Sequence, residues 1–227
     1  MSRARRRRMR LIRNLCFIIF IISLIVCGIA AGRYYKRLSY FKGDYTRQVD
    51  ITGRAVSNIV MWLSDVEGAD IDEDWIHHKI EPLKVSVNVS FNKENTKKGM
   101  ITEAIDEQSY NECMERSCLV AAECLRELII KRLTMVGYAE SMNDEEADEL
   151  IREVLGMTLD NYIKNSQVDI LPSIEELNKD LCNNGSYEIK GKTIKLNFDG
   201  TELSTAYALH KDTIIFVDKG YVYGKKN

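Results

Sequence analysis

The side chains that could do chemistry are few and scattered. His77 and His78 are adjacent, so they point about 100° apart on a helix and to opposite faces of a strand, which makes a poor chelate. Asp74 and His78 would share one helix face as two metal ligands, but no third ligand is spaced near them, and an ordinary charged surface helix accounts for both. The acidic run Asp65, Glu67, Asp70, Asp72, Glu73 and Asp74 has carboxylates suited to Ca²⁺. It lacks the Asp-x-Asp-x-Asp-Gly order of an EF-hand and reads as a solvated loop. His210 is the third and last histidine, and there is no Gly-x-Ser-x-Gly elbow, phosphate loop or dinucleotide glycine motif. Carboxylate pairs such as Glu145 and Glu146 fall in helical sequence and read as solvated faces. The sequence therefore nominates no catalytic residue, metal ligand or cofactor.

Four cysteines lie beyond the first apolar stretch: Cys113, Cys118, Cys124 and Cys182. On one helix, residues five and six apart are separated by about 7.5 and 9 Å of rise, beyond the ~7 Å that a disulfide tolerates between Cα atoms. The first three cannot bridge one another, and at most one could reach Cys182. They share a half-turn with Tyr110, Val120, Ala121, Leu125 and Leu128, which reads as a buried face of core thiols.

What positions the whole chain is its beginning. Arg3, Arg5, Arg6, Arg7, Arg8, Arg10 and Arg13 precede an uncharged run over residues 14–32 that is long enough to cross a hydrocarbon core ~30 Å thick. Basic residues are retained in the cytoplasm, so the N-terminus is expected inside and the rest of the chain outside. Arg5, Arg6, Arg7, Arg8, Arg10 and Arg13 are then placed against the anionic headgroups of a lipid bilayer. A cleaved secretory signal with small residues at Gly28, Ala30 and Ala31 would export the same body. So would a lipoprotein signal that acylates Cys27, although Val26 is branched where such sites carry a small residue. Past residue 32, 25 basic residues face 34 acidic ones, a net charge of −9 that disfavours nucleic acid as a partner.

The exported part reads as β, then α, then β. Arg54–Ser64 is rich in strand formers, residues 84–92 alternate apolar and polar without a break, and a shorter strand near 99–105 closes a hairpin. A helix over 109–136 follows. Asn143 with Glu146, and Pro172-Ser173 with Glu176, mark the starts of further helices, and Gly156 marks a stop. The last forty residues alternate again, with turns at Lys190-Gly191-Lys192, Asp199-Gly200, Lys211-Asp212 and Lys219-Gly220. The expected organisation is a cytoplasmic basic head over 1–13, a transmembrane signal-anchor over 14–32 and a juxtamembrane tether over 33–48. An extracytoplasmic domain over 49–227 carries a helical insertion over 109–183.

The segments Val49–Gly53 (VDITG), Lys84–Ser109, Leu155–Ile163 (LGMTLDNYI) and Gly185–Leu196 (GSYEIKGKTIKL) are similar to lipocalin-like surface modules of Gram-positive anaerobes. Over residues 48–225 the resemblance implies an α+β chain: an antiparallel meander or barrel of about eight strands, with a helical insertion after the third, displayed from a membrane anchor. It transfers no catalytic residue. The expected function is a membrane-anchored extracytoplasmic module that binds a small ligand or a protein partner, with an exported hydrolase of cell-wall or peptide substrates as the alternative.

Overall fold

A computed structural model describes residues 3–68, 70–138, 142–166 and 168–226, with the side chains of 3–14 left aside. Helix α1 (Arg3–Ser39) contains the apolar span, and from Leu15 to Arg37 every residue is exposed. The 25 residues Leu15–Ser39 rise about 37 Å as a helix, enough by length and composition to cross a bilayer. Only three residues later the chain enters strand β1 (Gly43–Asp50).

Helices α2 (Thr52–Glu67) and α3 (Glu73–His77) lead to the hairpin β2 (Lys84–Lys93) and β3 (Lys98–Ile105). Helices α4 (Glu107–Met135), α5 (Asp144–Leu155), α6 (Leu159–Asn165) and α7 (Ile174–Leu181) intervene. The meander then finishes with β4 (Gly185–Lys190), β5 (Thr193–Phe198), β6 (Thr201–His210), β7 (Thr213–Phe216) and β8 (Tyr221–Lys225). The eight strands close in sequence order into an up-and-down antiparallel barrel, with the helical insertion after the third strand.

Two expectations are corrected. Arg54–Ser64 is helix α2 and not a strand, because its buried residues Ala55, Val56, Ile59 and Leu63 recur at the helical period whatever their β propensity. Residues 33–48, expected to be a tether, are helical to Ser39 and then form most of β1, which pairs with β2 over all eight of its residues. The alternation of β1 was masked because one of its inward residues is Arg47.

Local signals elsewhere are realised as physics requires. Asn143 and Ser173 each form a reciprocal capping box with the glutamate three residues on. Gly156 ends α5 in the left-handed conformation. Helix α4 is capped by Asp106, whose carboxylate accepts from the Ser109 N–H (3.0 Å) and from Asn88 (3.1 Å). These bonds hold the Asp106 carboxyl below the usual aspartate range and fix the helix on β2. Cys113, Cys118 and Cys124 are buried along α4 as free thiols.

The barrel interior is filled. Val85, Val87, Val89 and Phe91 of β2 meet Ile101, Tyr187, Ile194, Leu196, Phe216 and Tyr223, all at most 3% exposed. At the end where α1 arrives, Phe41 inserts edge-on against Phe91 (5.7 Å) and Tyr207 (5.0 Å between ring centroids). Tyr187 Oη donates to the Phe41 carbonyl at 2.8 Å, and Tyr45 Oη donates to the Tyr40 carbonyl.

A Cβ added at Gly185 would run into the backbone carbonyl of Asn197, whereas one at Gly53, in the first turn of α2, meets open space. Gly185→Ala is expected to lower stability by about 1–3 kcal/mol and Gly53→Ala to be neutral or stabilising by up to ~1 kcal/mol, measured by urea unfolding in detergent with Trp62 and Trp75 as reporters. Asp106→Ala is expected to cost about 1 kcal/mol at neutral pH. Because the Asp106 pKa is depressed on folding, its contribution is present above the ordinary aspartate range and is lost as pH falls through the lower folded value. The deficit of the variant should therefore shrink in acid.

Candidate binding cleft at the open seam of the barrel

The end of the barrel away from α1 is closed by a buried ion pair. Arg47 on β1 and Glu103 on β3 point inward with side chains 5% and 1% exposed. Arg47 Nη2 lies 3.0 Å from Glu103 Oε2, and Nε lies 3.4 Å from Oε1. The second carboxylate oxygen also accepts from the Asn183 N–H (2.9 Å), and the first accepts from Tyr223 Oη (3.1 Å). Arg47 Nη2 donates further to the Leu181 carbonyl, and its guanidinium lies 4.7 Å from the centre of the Tyr221 ring.

Burial works against the charged form of Arg47, and the hydrogen bond and charge of Glu103 more than compensate, so its pKa is raised. Burial first, and then the Glu103 charge, push the Tyr223 phenol up, which keeps it a donor. Cys182 beside this pair is pushed up to about 11 by burial and by Glu103, and burial raises Cys124 to about 12. Both are thiols at neutral pH, unsuited to nucleophilic work.

Around this knot two strand pairs separate. Strand β4 pairs with β3 only from Lys98 to Ile101. Beyond that point the freed edge of β3 is taken by side chains: Asn184 Oδ1 accepts from the Glu103 N–H and Asn178 Oδ1 from the Ile105 N–H, both at 2.8 Å. The β1–β8 seam is different, with only Tyr45↔Lys225 and Thr46↔Gly224 in register. The Lys226 N–H bonds the Asp44 carbonyl at 2.9 Å and the Lys225 N–H bonds the Asp212 carbonyl at 2.8 Å. Even-numbered residues of both strands therefore turn their backbone groups toward the seam. Two residues past the last pair, Gln48 and Val222 are both exposed and lie opposite each other with no ladder between them. The opening is a cleft of about 430 Å³ lined by Thr46, Arg47, Gln48, Tyr221 and Val222.

The residues singled out from the sequence fall elsewhere. The side chains of Arg5, Arg6, Arg7, Arg8, Arg10 and Arg13 lie outside the described residues, and Cys27 is exposed on α1 within the apolar span. His78 Nδ1 contacts the Asp74 backbone carbonyl, not its carboxylate, and Asp72 caps α3. Among the described residues, no group of three or more His, Cys, Asp or Glu is arranged to hold a metal ion. His210 is exposed at the end of β6, and Glu145 and Glu146 sit in the first turn of α5. No sequence motif marks Arg47, Glu103 or Tyr223; the one legible sign is Glu103 in the phase of Gly99, Ile101 and Ile105, because a carboxylate on an apolar strand face needs a buried partner.

Arg47→Met or Glu103→Leu alone is expected to cost about 3–5 kcal/mol by stranding the other charge, while the double variant regains most of that loss, as read from urea midpoints. Compared with family models, with curated proteins and with solved structures, the chain finds no match.

Proposed function

We propose that this chain is a lipocalin-like extracytoplasmic interaction module, held at a membrane by α1 with its N-terminus in the cytoplasm. Its partner would be a protein that adds an extended segment at the β1–β8 seam. The observation that carries this reading is the direct passage of the apolar helix into the barrel core. Leu38 on the last turn of α1 is 2% exposed and Phe41 is fully buried, so helix and barrel are joined by packing and not by a loose linker. Just before them, Arg33, Tyr34, Tyr35, Lys36 and Arg37 are exposed on the helix, the residue types that favour the membrane–water boundary.

The filled interior turns the choice of ligand outward. A barrel of eight strands has room inside for its own side chains or for one small ligand, and here aromatic residues and the Arg47–Glu103 pair occupy that space. The seam instead offers backbone groups on two facing strand edges, the chemistry by which a sheet accepts a further strand. Tyr221 and Val222 beside it supply apolar contact.

Protease added to intact cells is expected to degrade the body, and protection there with loss after permeabilisation would reverse the topology. A photoreactive side chain at Val222 should give a discrete adduct in native membranes, while one at Lys195, exposed on the fully paired β5, should give none. Equal adducts at the two positions, or none at Val222, would remove the seam from the proposal and leave the topology standing.

A further inference from the structure

We infer that the rim of the barrel around the end of α1 is a second membrane contact, a lysine-rich surface that sits on anionic phospholipid headgroups of the leaflet from which α1 emerges. This rests on the reading of α1 as a membrane span. In an up-and-down barrel every other turn lies at the same end, so the β2–β3, β4–β5 and β6–β7 turns and the end of β8 share the end at which β1 begins. Specific contacts tie them together there. Lys93 Nζ reaches the Leu38 carbonyl (3.5 Å), the Ile189 N–H bonds the Lys97 carbonyl (2.7 Å), Tyr207 Oη bonds the Gly191 carbonyl (2.9 Å), and the Lys226 N–H bonds the Asp44 carbonyl (2.9 Å).

That end is strongly basic although the exported body is acidic. Residues 33–44, 93–98, 188–192, 210–212 and 225–226 contain twelve basic and four acidic residues, and the remainder past residue 32 contains thirteen and thirty. Lys97, Lys98, Lys190, Lys192, Lys211 and Lys225 are all exposed on the barrel side of this rim, and Arg33, Lys36, Arg37 and Lys42 are exposed where α1 meets it. Of the four acids, Glu188 is already matched by Lys190 (3.1 Å) and Lys98 (3.6 Å). Like charges gathered at one end repel one another across a Debye length of about 8–10 Å, and an anionic surface is what relieves them.

The connection to α1 keeps the rim within reach of such a surface. Only Tyr40, Phe41 and Lys42 separate α1 from β1, a span of about 10 Å even when extended, and Phe41 is locked into the core. The acidic remainder of the body would be repelled by the same headgroups, so attraction at the rim and repulsion elsewhere set one orientation of the barrel on the bilayer.

The test uses the full chain reconstituted into vesicles of phosphatidylcholine alone or with phosphatidylglycerol, with lysine acylation rates read peptide by peptide by mass spectrometry. Lys97, Lys190, Lys192 and Lys225 are expected to react on the order of fivefold more slowly in the phosphatidylglycerol vesicles, and high salt should abolish the difference. Lys131 and Lys179, exposed on α4 and α7, should react equally in both. Charge reversal by Lys97→Glu, Lys192→Glu and Lys225→Glu together should remove the protection of Lys190 without preventing insertion. Insertion with equal rim labelling in the two lipids overturns the headgroup surface alone. Failure of the chain to float with either vesicle overturns the anchor on which it rests, and the rim falls with it.

Discussion

The barrel depends on a charge pair held almost entirely out of water. Burying Arg47 and Glu103 costs several kcal/mol per ion in desolvation, and a tight pair offsets this only when its remaining donors and acceptors are also met. Here Tyr223 and the Asn183 amide complete the Glu103 carboxylate, and the Leu181 carbonyl takes a further guanidinium N–H. The requirement reaches far along the chain. The end of α7 and the segment after it must pack over the open end of the barrel to supply those groups, and this brings Asn178 and Asn184 onto the free edge of β3. It also fixes register. A slip of β1 by one residue would turn Arg47 to solvent and leave Glu103 buried without its cation, a penalty far above that of misplacing an apolar side chain.

The opposite end is closed by different means. Phe41 enters from the chain itself and meets Phe91 and Tyr207 edge-on and Tyr187 at a tilt, while the Tyr187 hydroxyl satisfies the Phe41 carbonyl that its entry buries. Burial pushes the Tyr187 phenol up to about 12, so it remains the donor this bond needs. Because the plug is contiguous with α1, the helix and the barrel cannot move independently without unpacking an aromatic cluster, where truncating one such residue typically costs about 3–5 kcal/mol.

Sequence patterns carried most of the fold, and the exceptions have specific causes. Strands β2 to β8 were legible because Val85 to Phe91, Ile194 to Phe198 and their successors alternate, and because turns such as Asp199-Gly200 need the left-handed conformations those residues accept. The capping boxes at Asn143 and Ser173 are local chemistry and were equally readable. Strand β1 was hidden because Arg47, an inward residue, breaks the apolar phase. The strand-like composition of α2 misled for the complementary reason: in Val56, Ile59 and Val60 the β-branched side chains are chosen for packing, and burial outweighs their intrinsic preference. Neither the knot nor the seam could be read, since Arg47 lies 56 residues from Glu103 and 134 from Leu181. Only the closed topology brings them together.

Two plugs fill the eight-stranded barrel with its own side chains, and under the proposed function that constraint would move recognition to the outside. The geometry then separates two surfaces. Gln48 and Val222 open the wall on the side of the Arg47–Glu103 knot, whereas the lysines gather at the Phe41 end. Were both at one end, a partner strand and the bilayer would compete for the same backbone. Because the wall opens beyond Thr46, on the half of β1 remote from α1, a segment of the proposed partner would approach from the aqueous side with the proposed rim contact still in place. The floor of the open seam is the Arg47 guanidinium, which faces the Tyr221 ring at 4.7 Å and is held from within the barrel by Glu103.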